Sequence, residues 1–318
     1  MACENGSQVT EFILLGITRN LDMHFRLFII FSLTYIMTLT GNLLLILLTK
    51  VDPDLKTPMY HFLCNLSMLD ICFTSVTVPK MLADLLVTDN TISYVGCFFQ
   101  LYFFHFLGSS ECFLLAIMSY DRYVAICHPL RYSQIMNMNI CFHLSLACWV
   151  SGVFFSFAHT FLTVSLFFCD SNQINHFFCD IPPLLHLSST DTYRNILEIF
   201  IFGGAVAGGC FMLTLISYIH IILSIIKIRS AKGKRKAFST CTSHLIVVSI
   251  FFGTILFMYL RPKSEYSMEH DKLLCVLYNI LTPALNPVIY SFRNKEVKKA
   301  LKRLIHKNRI LTFYHSFS

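Results

Sequence analysis

The stretch MSYDRYVAIC, residues 118–127, sets Asp121 beside Arg122 within an otherwise apolar and small-residue run. In water such a pair is unremarkable. In hydrocarbon a charge costs at least about 2.5–3.5 kcal/mol on insertion scales, so an adjacent acid and base need a stated reason. The surrounding segment decides which solvent applies. Tyr94–Cys127 carries only Glu111, Asp121 and Arg122 as charges and is longer than the ~20 residues that cross ~30 Å of hydrocarbon.

Similar segments recur on both sides. Leu27–Thr49, Ile140–Phe168, Ile199–Ile226, Ala237–Leu260 and Leu273–Phe292 contain no Asp, Glu, Lys or Arg. Pro58–Val87 is apolar with Asp70, Lys80 and Asp84 inside it. The 318-residue chain is 55% hydrophobic and 14% charged, against about 25% charged in soluble domains. The pattern predicts an all-α membrane protein, a bundle of seven transmembrane helices. Alternating segments of ~10 residues, as in β-barrels, are absent from the sequence. The expected division is an extracellular N-terminus (1–24), a seven-span domain (25–292) and a cytoplasmic tail (293–318).

Lysines and arginines orient the bundle. Seventeen of the 25 gather on one side: Lys50, Lys56, Arg131, six between Lys227 and Lys236, and eight between Arg293 and Arg309. That side is expected to be cytoplasmic. The net charge of +7 is then a topology signal and gives no support to nucleic-acid binding. MACENGSQVTEF is polar and lacks a basic region leading into an apolar core, so the first span is expected to act as its own insertion signal. Asn5-Gly6-Ser7 is a glycosylation sequon on the expected outer side.

Of thirteen cysteines, most sit in or beside spans as small apolar packing residues. Cys3, Cys97, Cys169 and Cys179 fall on the outer side, the only set exposed to an oxidising compartment. A bridge from Cys97 to Cys179 would pin the one long loop, roughly Leu166–Asn195, over the bundle mouth. In the tail, Val297, Ala300, Leu301, Leu304 and Ile305 recur at i, i+3, i+4, i+7 and i+8 among lysines and arginines. This predicts an amphipathic helix on anionic membrane lipids.

Asp70 and Glu111 fall near the middle of spans two and three. They either face one cavity and hold a cation such as Na+ or a shared proton, or are two separately hydrogen-bonded acids. Glu111 and Arg122 are eleven residues apart, which returns to nearly the same helix face about 16 Å further along. Asp121 can hold the Arg122 guanidinium at the inner rim, where an exposed pair is weak enough to break. Asn286-Pro287 places a proline inside span seven, allowing a kink, with Tyr290 one turn on and Tyr218 at comparable depth in span five.

LKTPMY (55–60), LSMLD (66–70), MSYDRYVAIC (118–127), SY (217–218), KAFSTCTSHL (236–245) and ALNPVIYS (284–291) together resemble the rhodopsin-like G-protein-coupled receptors, and among them the odorant receptors. Gly41-Asn42 and Trp149 also fit. The resemblance implies that Arg122 leaves Asp121 on activation and faces a heterotrimeric G protein of the stimulatory type, with Tyr123, Tyr218, Asn286, Pro287 and Tyr290 nearby. It implies a Cys97–Cys179 bridge, an intramembrane acid pair at Asp70 and Glu111, and a plasma-membrane receptor of olfactory sensory neurons. It also implies a small volatile ligand in the outer half of the bundle. His105, Gly108, Ser109 and Cys112 fall on one face of span three; Phe202, Val206, Ile255, Tyr259 and Asn279 are the matching positions opposite. Such a mixture suits a mostly apolar molecule with one polar group.

Two departures stand out. Ser189 occupies the place of a third loop cysteine, which leaves Cys169 expected as a free thiol. Phe251-Phe252-Gly253 stands where the branch has Phe-Tyr-Gly. As rivals, a transporter would show inverted repeats, and none is visible. An enzyme would show HExxH, GxSxG or a glycine-rich phosphate loop, and none occurs. The same receptor used outside the nose for an endogenous metabolite is not distinguishable by sequence.

Overall fold

Local signals in the chain start several of the helices. Asn20, Ser93 and Asn137 cap three of them, accepting from the backbone N–H groups of Asp22, Gly96 and Ile140, and Pro58 opens a fourth where its missing N–H costs nothing. A computed structural model of the chain describes residues 9–18, 20–87, 89–169, 171–260 and 268–315. Its elements are β1 (Glu11–Leu14), α1 (Leu21–Val51), α2 (Pro58–Asp84), β2 (Thr91–Ser93), α3 (Tyr94–Cys127), α4 (Tyr132–Ile135), α5 (Met138–Val164), β3 (Gln173–Ile174), α6 (Ile181–Leu187), α7 (Tyr193–Glu198), α8 (Gly204–Lys227), α9 (Ala231–Leu260), α10 (Met268–Val276), α11 (Thr282–Arg293) and α12 (Lys295–His315). One π turn, Ile199–Gly203, joins α7 to α8, and another, Leu277–Leu281, joins α10 to α11.

Six helical stretches are long and apolar enough to cross a membrane, and a seventh is the pair Ala231–Ser239 and Cys241–Phe257, bent by 41°. The chain is a seven-helix bundle. Helix α3 runs through its centre, packing on α2, α5 and α8, while α1 packs on α2 and α11. Large apolar side chains on α1, α5 and the α7–α8 segment, among them Leu33, Phe154 and Phe200, point away from the bundle, as lipid-facing residues do.

Close approaches set the helix spacing. A Cβ on Gly41 would stand 2.9 Å from Pro287 Cγ, so only glycine lets α1 meet the α11 proline this closely. The neighbouring Asn42 donates to the Pro283 carbonyl at 3.1 Å. Trp149 Nε1 donates to Asn65 Oδ1 at 3.2 Å, tying α5 to α2.

One end of the bundle carries a small sheet ordered β2-β1-β3, with β1 antiparallel to β2 and parallel to β3. Phe12 and Leu14 alternate inwards and join a separate apolar core with Phe98, Leu101, Phe168 and Ile174. The Cys97–Cys179 bridge, 5.4 Å between Cα atoms, fastens the long loop to the start of α3. That loop is structured, with β3 and α6 inside it. Cys169 is also disulfide-bonded, correcting the expectation of a free thiol. Ser189 keeps a local role: its Oγ accepts the Cys169 N–H at 3.2 Å. At the opposite end α12 turns its apolar stripe inwards, burying Val297 and Ala300. Arg303 fastens it by donating to Asp52 at 2.9 Å and to Asp54 at 2.7 Å.

Candidate functional site

Beneath the sheet and the long loop lies a cavity of about 250 Å³. Its α3 wall is the stripe His105, Gly108, Ser109 and Cys112; Val206 of α8, Ile255 of α9 and Tyr278 face it. Spacing of i, i+3, i+4 and i+7 puts the four α3 residues on one face, and burial of that face turns it inwards. A Cβ on Gly108 would lie 2.7 Å from Tyr278 Oη, so a larger residue here would make that ring move.

Two expected wall positions fall elsewhere. Phe202 is 60% exposed and points out of the bundle; Ile199, Gly203 and Val206 take the wall instead. Asn279 is buried but turned to α2, donating to Thr77 Oγ1 at 2.6 Å, and its neighbour Tyr278 faces the cavity. Both lie in the π turns, whose extra residue rotates the preceding chain by roughly 100° relative to a regular helix. The Tyr259 side chain lies outside the described residues, as does Asn5.

The structure adds polar residues that sequence reasoning missed. His105 Nε2 lies 3.3 Å from Asp180 Oδ1, and His159 Nδ1 lies 2.5 Å from Glu198 Oε2. His159, His176 and Asp180 line the cavity. A signal did exist for Asp180: it follows Cys179, so the bridge that fastens the loop carries it over the mouth. Burial alone would raise the Asp180 pKa, but the hydrogen bond and charge of His105, helped by the Ile181 N–H, outweigh it and hold the carboxyl below its usual value. Burial pushes the His176 imidazole down to about 4, so it is neutral at pH 7.

The cavity floor connects to the rest of the bundle through stacked rings. Tyr278 meets Phe73 at 5.1 Å and Phe251 at 5.5 Å between centroids, and Phe251 meets Phe252 at 5.3 Å. Phe252, the residue without the expected hydroxyl, packs on Phe211 at 5.7 Å. A ring chain therefore leads from the α3 wall to α9 and α8.

Below it are the intramembrane acids. Both Asp70 carboxylate oxygens accept from Asn286 Nδ2, at 3.0 and 3.1 Å. Glu111 is equally buried, and its Oε1 has no hydrogen-bond partner among the described residues. No group of three or more His, Cys, Asp or Glu placed to hold a metal occurs among the described residues. That Glu111 carboxylate oxygen is left for a proton, a water or a hydrated cation.

At the basic end a second cavity, about 740 Å³, is bordered by Asp121, Arg122, Lys232, Arg235, His244 and Tyr290. Arg122 Nε donates to Asp121 Oδ2 at 3.0 Å, its Nη2 reaches the same oxygen, and Tyr132 Oη donates to Asp121 Oδ1 at 2.8 Å. Asp121 is 1% and Arg122 6% exposed. The pair is therefore buried, not the exposed rim pair expected, and breaking it leaves costly unpaired charge. Tyr218 Oη hydrogen-bonds His244 Nδ1 at 2.8 Å. Tyr290 Oη is buried with no partner among the described residues. Tyr123 stands apart, its hydroxyl 3.0 Å from His128 Nε2.

A crystal structure of squid rhodopsin shares this architecture, with a TM-score of 0.71 at 19% identity over 95% of this chain and 83% of that one. The fold is that of the seven-helix receptors. The olfactory receptor family profile matches residues 31–308. Human olfactory receptor 10A7 is 52% identical over 305 residues, 96% of each chain, and mouse olfactory receptor 5AP2 is 50% identical over 303 residues, 95% of this chain and 96% of its own. The chain belongs to the olfactory receptor family, a multi-pass membrane protein of the G-protein-coupled class.

Proposed function

We propose that this receptor binds a small, mostly apolar volatile molecule in the cavity beneath the sheet and activates a stimulatory heterotrimeric G protein at the basic end, raising cAMP. The sheet end and the sequon at Asn5 then face outwards, and α12 and the basic loops face the cytoplasm, most naturally in an olfactory sensory neuron. The observation that carries this reading is the pairing of a mostly apolar cavity at one end of the bundle with a larger charged cavity at the other. Ring stacking and buried polar contacts lie between them.

His105, Ser109 and Cys112 offer the ligand hydrogen-bonding groups, while Gly108, Val206 and Ile255 leave room. A ligand that presses on Tyr278 acts through Phe251 on α9. It shifts the equilibrium only by the amount it prefers the active arrangement. In that arrangement Arg122 exchanges Asp121 for the G protein, with Tyr218 and Tyr290 closing beside it. Asp70, Asn286 and Glu111 act as the polar layer that rearranges as Pro287 flexes.

The deciding experiment is a panel of volatile compounds applied to cells displaying the receptor, with cAMP as readout, in the presence and absence of the stimulatory α subunit. A ligand response that vanishes without the subunit supports the reading. A response that persists without it, or ligand-evoked ion flux in liposomes holding this protein alone, rejects it.

A further inference from the structure

The cavity at the basic end is walled by donors that are short of acceptors. Helix α9 contributes Lys232, Arg235, Ser239 and Ser243, spaced so that they run along one face. Lys232 and Arg235 are exposed, and neither forms an ion pair among the described residues. The two carboxylates that border the cavity are already engaged. Asp121 is held by Arg122 and Tyr132, and Glu296 accepts Lys299 Nζ at 3.1 Å.

Two buried groups in the same wall have donor capacity to spare. Arg122 Nη1 meets Met59 Sδ at 3.0 Å, and a thioether is a weak acceptor. Tyr290 is 7% exposed, and its hydroxyl has no partner among the described residues. A buried hydroxyl left unpaired is costly, so a guest that accepts from it removes a cost the empty cavity carries.

We propose that this cavity binds a phosphomonoester anion, carried either by an inositol lipid of the membrane or by a free inositol phosphate. Lys232 and Arg235 supply the counter-charge from α9, while Arg122 Nη1 and Tyr290 Oη donate from α3 and α11. A phosphomonoester brings three acceptor oxygens and a charge of about −1.5 to −2 at pH 7, which suits a wall of unfilled donors on three helices. The volume of about 740 Å³ admits the inositol ring as well. Seated there, the anion ties α9 to α3 and α11.

The test is binding to purified full-length receptor stripped of lipid, with no G protein present. The probes are soluble inositol trisphosphate, followed by equilibrium binding in detergent, and phosphatidylinositol bisphosphate, counted by native mass spectrometry against phosphatidylserine. Saturable binding of at least one probe is expected: the soluble probe binding shows that the free anion suffices, and the lipid binding alone assigns the headgroup within its membrane. Lys232→Gln combined with Arg235→Gln should weaken binding at least about tenfold, and Y290F severalfold. Lys50→Gln combined with Lys302→Gln removes as much charge from the exposed surface of the same end and should leave binding unchanged. No saturable binding of either probe, equal loss in the two double variants, or undiminished binding by Y290F overturns the proposal. Lys232 and Arg235 are exposed, so their loss is read on folded receptor. With no G protein in the assay, its outcome is separate from that of the coupling experiment.

Discussion

Arg122 is held by the carboxylate of the residue before it, Asp121, whose other oxygen accepts Tyr132 Oη at 2.8 Å. Asp121 and Tyr132 thus hold in place a guanidinium that borders the cavity at the basic end. Replacing Arg122 with Ala should abolish agonist-evoked cAMP, at least a tenfold loss, at equal surface expression. Replacing Asp121 with Asn should raise basal cAMP severalfold, because it removes the restraint and leaves the guanidinium buried without its counter-charge. Normal signalling from R122A, or unchanged basal activity in D121N, would count against this role for the pair.

The Gly108 site limits ligand size. A methyl there would meet Tyr278 Oη at 2.7 Å, so the ring must swing into the cavity. In G108A the largest active ligands of a homologous series should lose about tenfold in potency, in line with ~1–3 kcal/mol for a methylene's worth of space. The shortest members should change little. Measuring half-maximal concentrations along the series checks this; equal losses at every length would disprove it.

Gly41 faces Pro287 without a flexible neighbour to give way. The G41A methyl would lie 2.9 and 3.1 Å from ring carbons of Pro287, so α1 must back away from α11. We expect about 1–3 kcal/mol of destabilisation, typical of overpacking. It would appear as a lower melting temperature of the solubilised receptor and reduced surface display. A melting temperature equal to that of the unaltered receptor would show that the contact is not tight.

The buried His176 makes the loop sensitive to acid. Its pKa falls from 6.5 to about 4 through burial, with Lys272 adding to the fall and Asp180 opposing it. The unfolded loop therefore takes up a proton at higher pH than the folded one. The stability is complete above about pH 6.5 and is lost as pH falls towards 4, by up to ~3 kcal/mol at 1.36 kcal/mol per unit. Asp180, held below its usual value, adds its own loss only at lower pH. Melting temperatures between pH 7 and 4.5 should decline, and H176Q should flatten the slope even if it lowers the plateau. An unchanged slope would exclude His176 as its source.

Much of this architecture is legible in the chain because lipid is a demanding solvent. A span must supply ~20 apolar residues and hide every charge, so the seven segments and the cost of Asp70, Glu111, Asp121 and Arg122 show in composition alone. The face shared by His105, Gly108, Ser109 and Cys112 follows from helical spacing, and burial turns it inwards. Phe202 and Asn279 are expected on the wall only through the family resemblance, and they fall off it where π turns interrupt the helices. Neither turn has a composition that announces an extra residue.

The sequence by itself determined what could not be exposed to lipid, and hence the number of helices and the residues needing partners. Only the tertiary structure decided who those partners are. Asp180 reaches His105 across 75 positions because a bridge at Cys179 carries it there, and Asp70 finds Asn286 across 216 because α2 and α11 pack side by side. Such pairings depend on ångström-scale distances between helices, which side-chain volumes at every contact set jointly. No local stretch of residues encodes them.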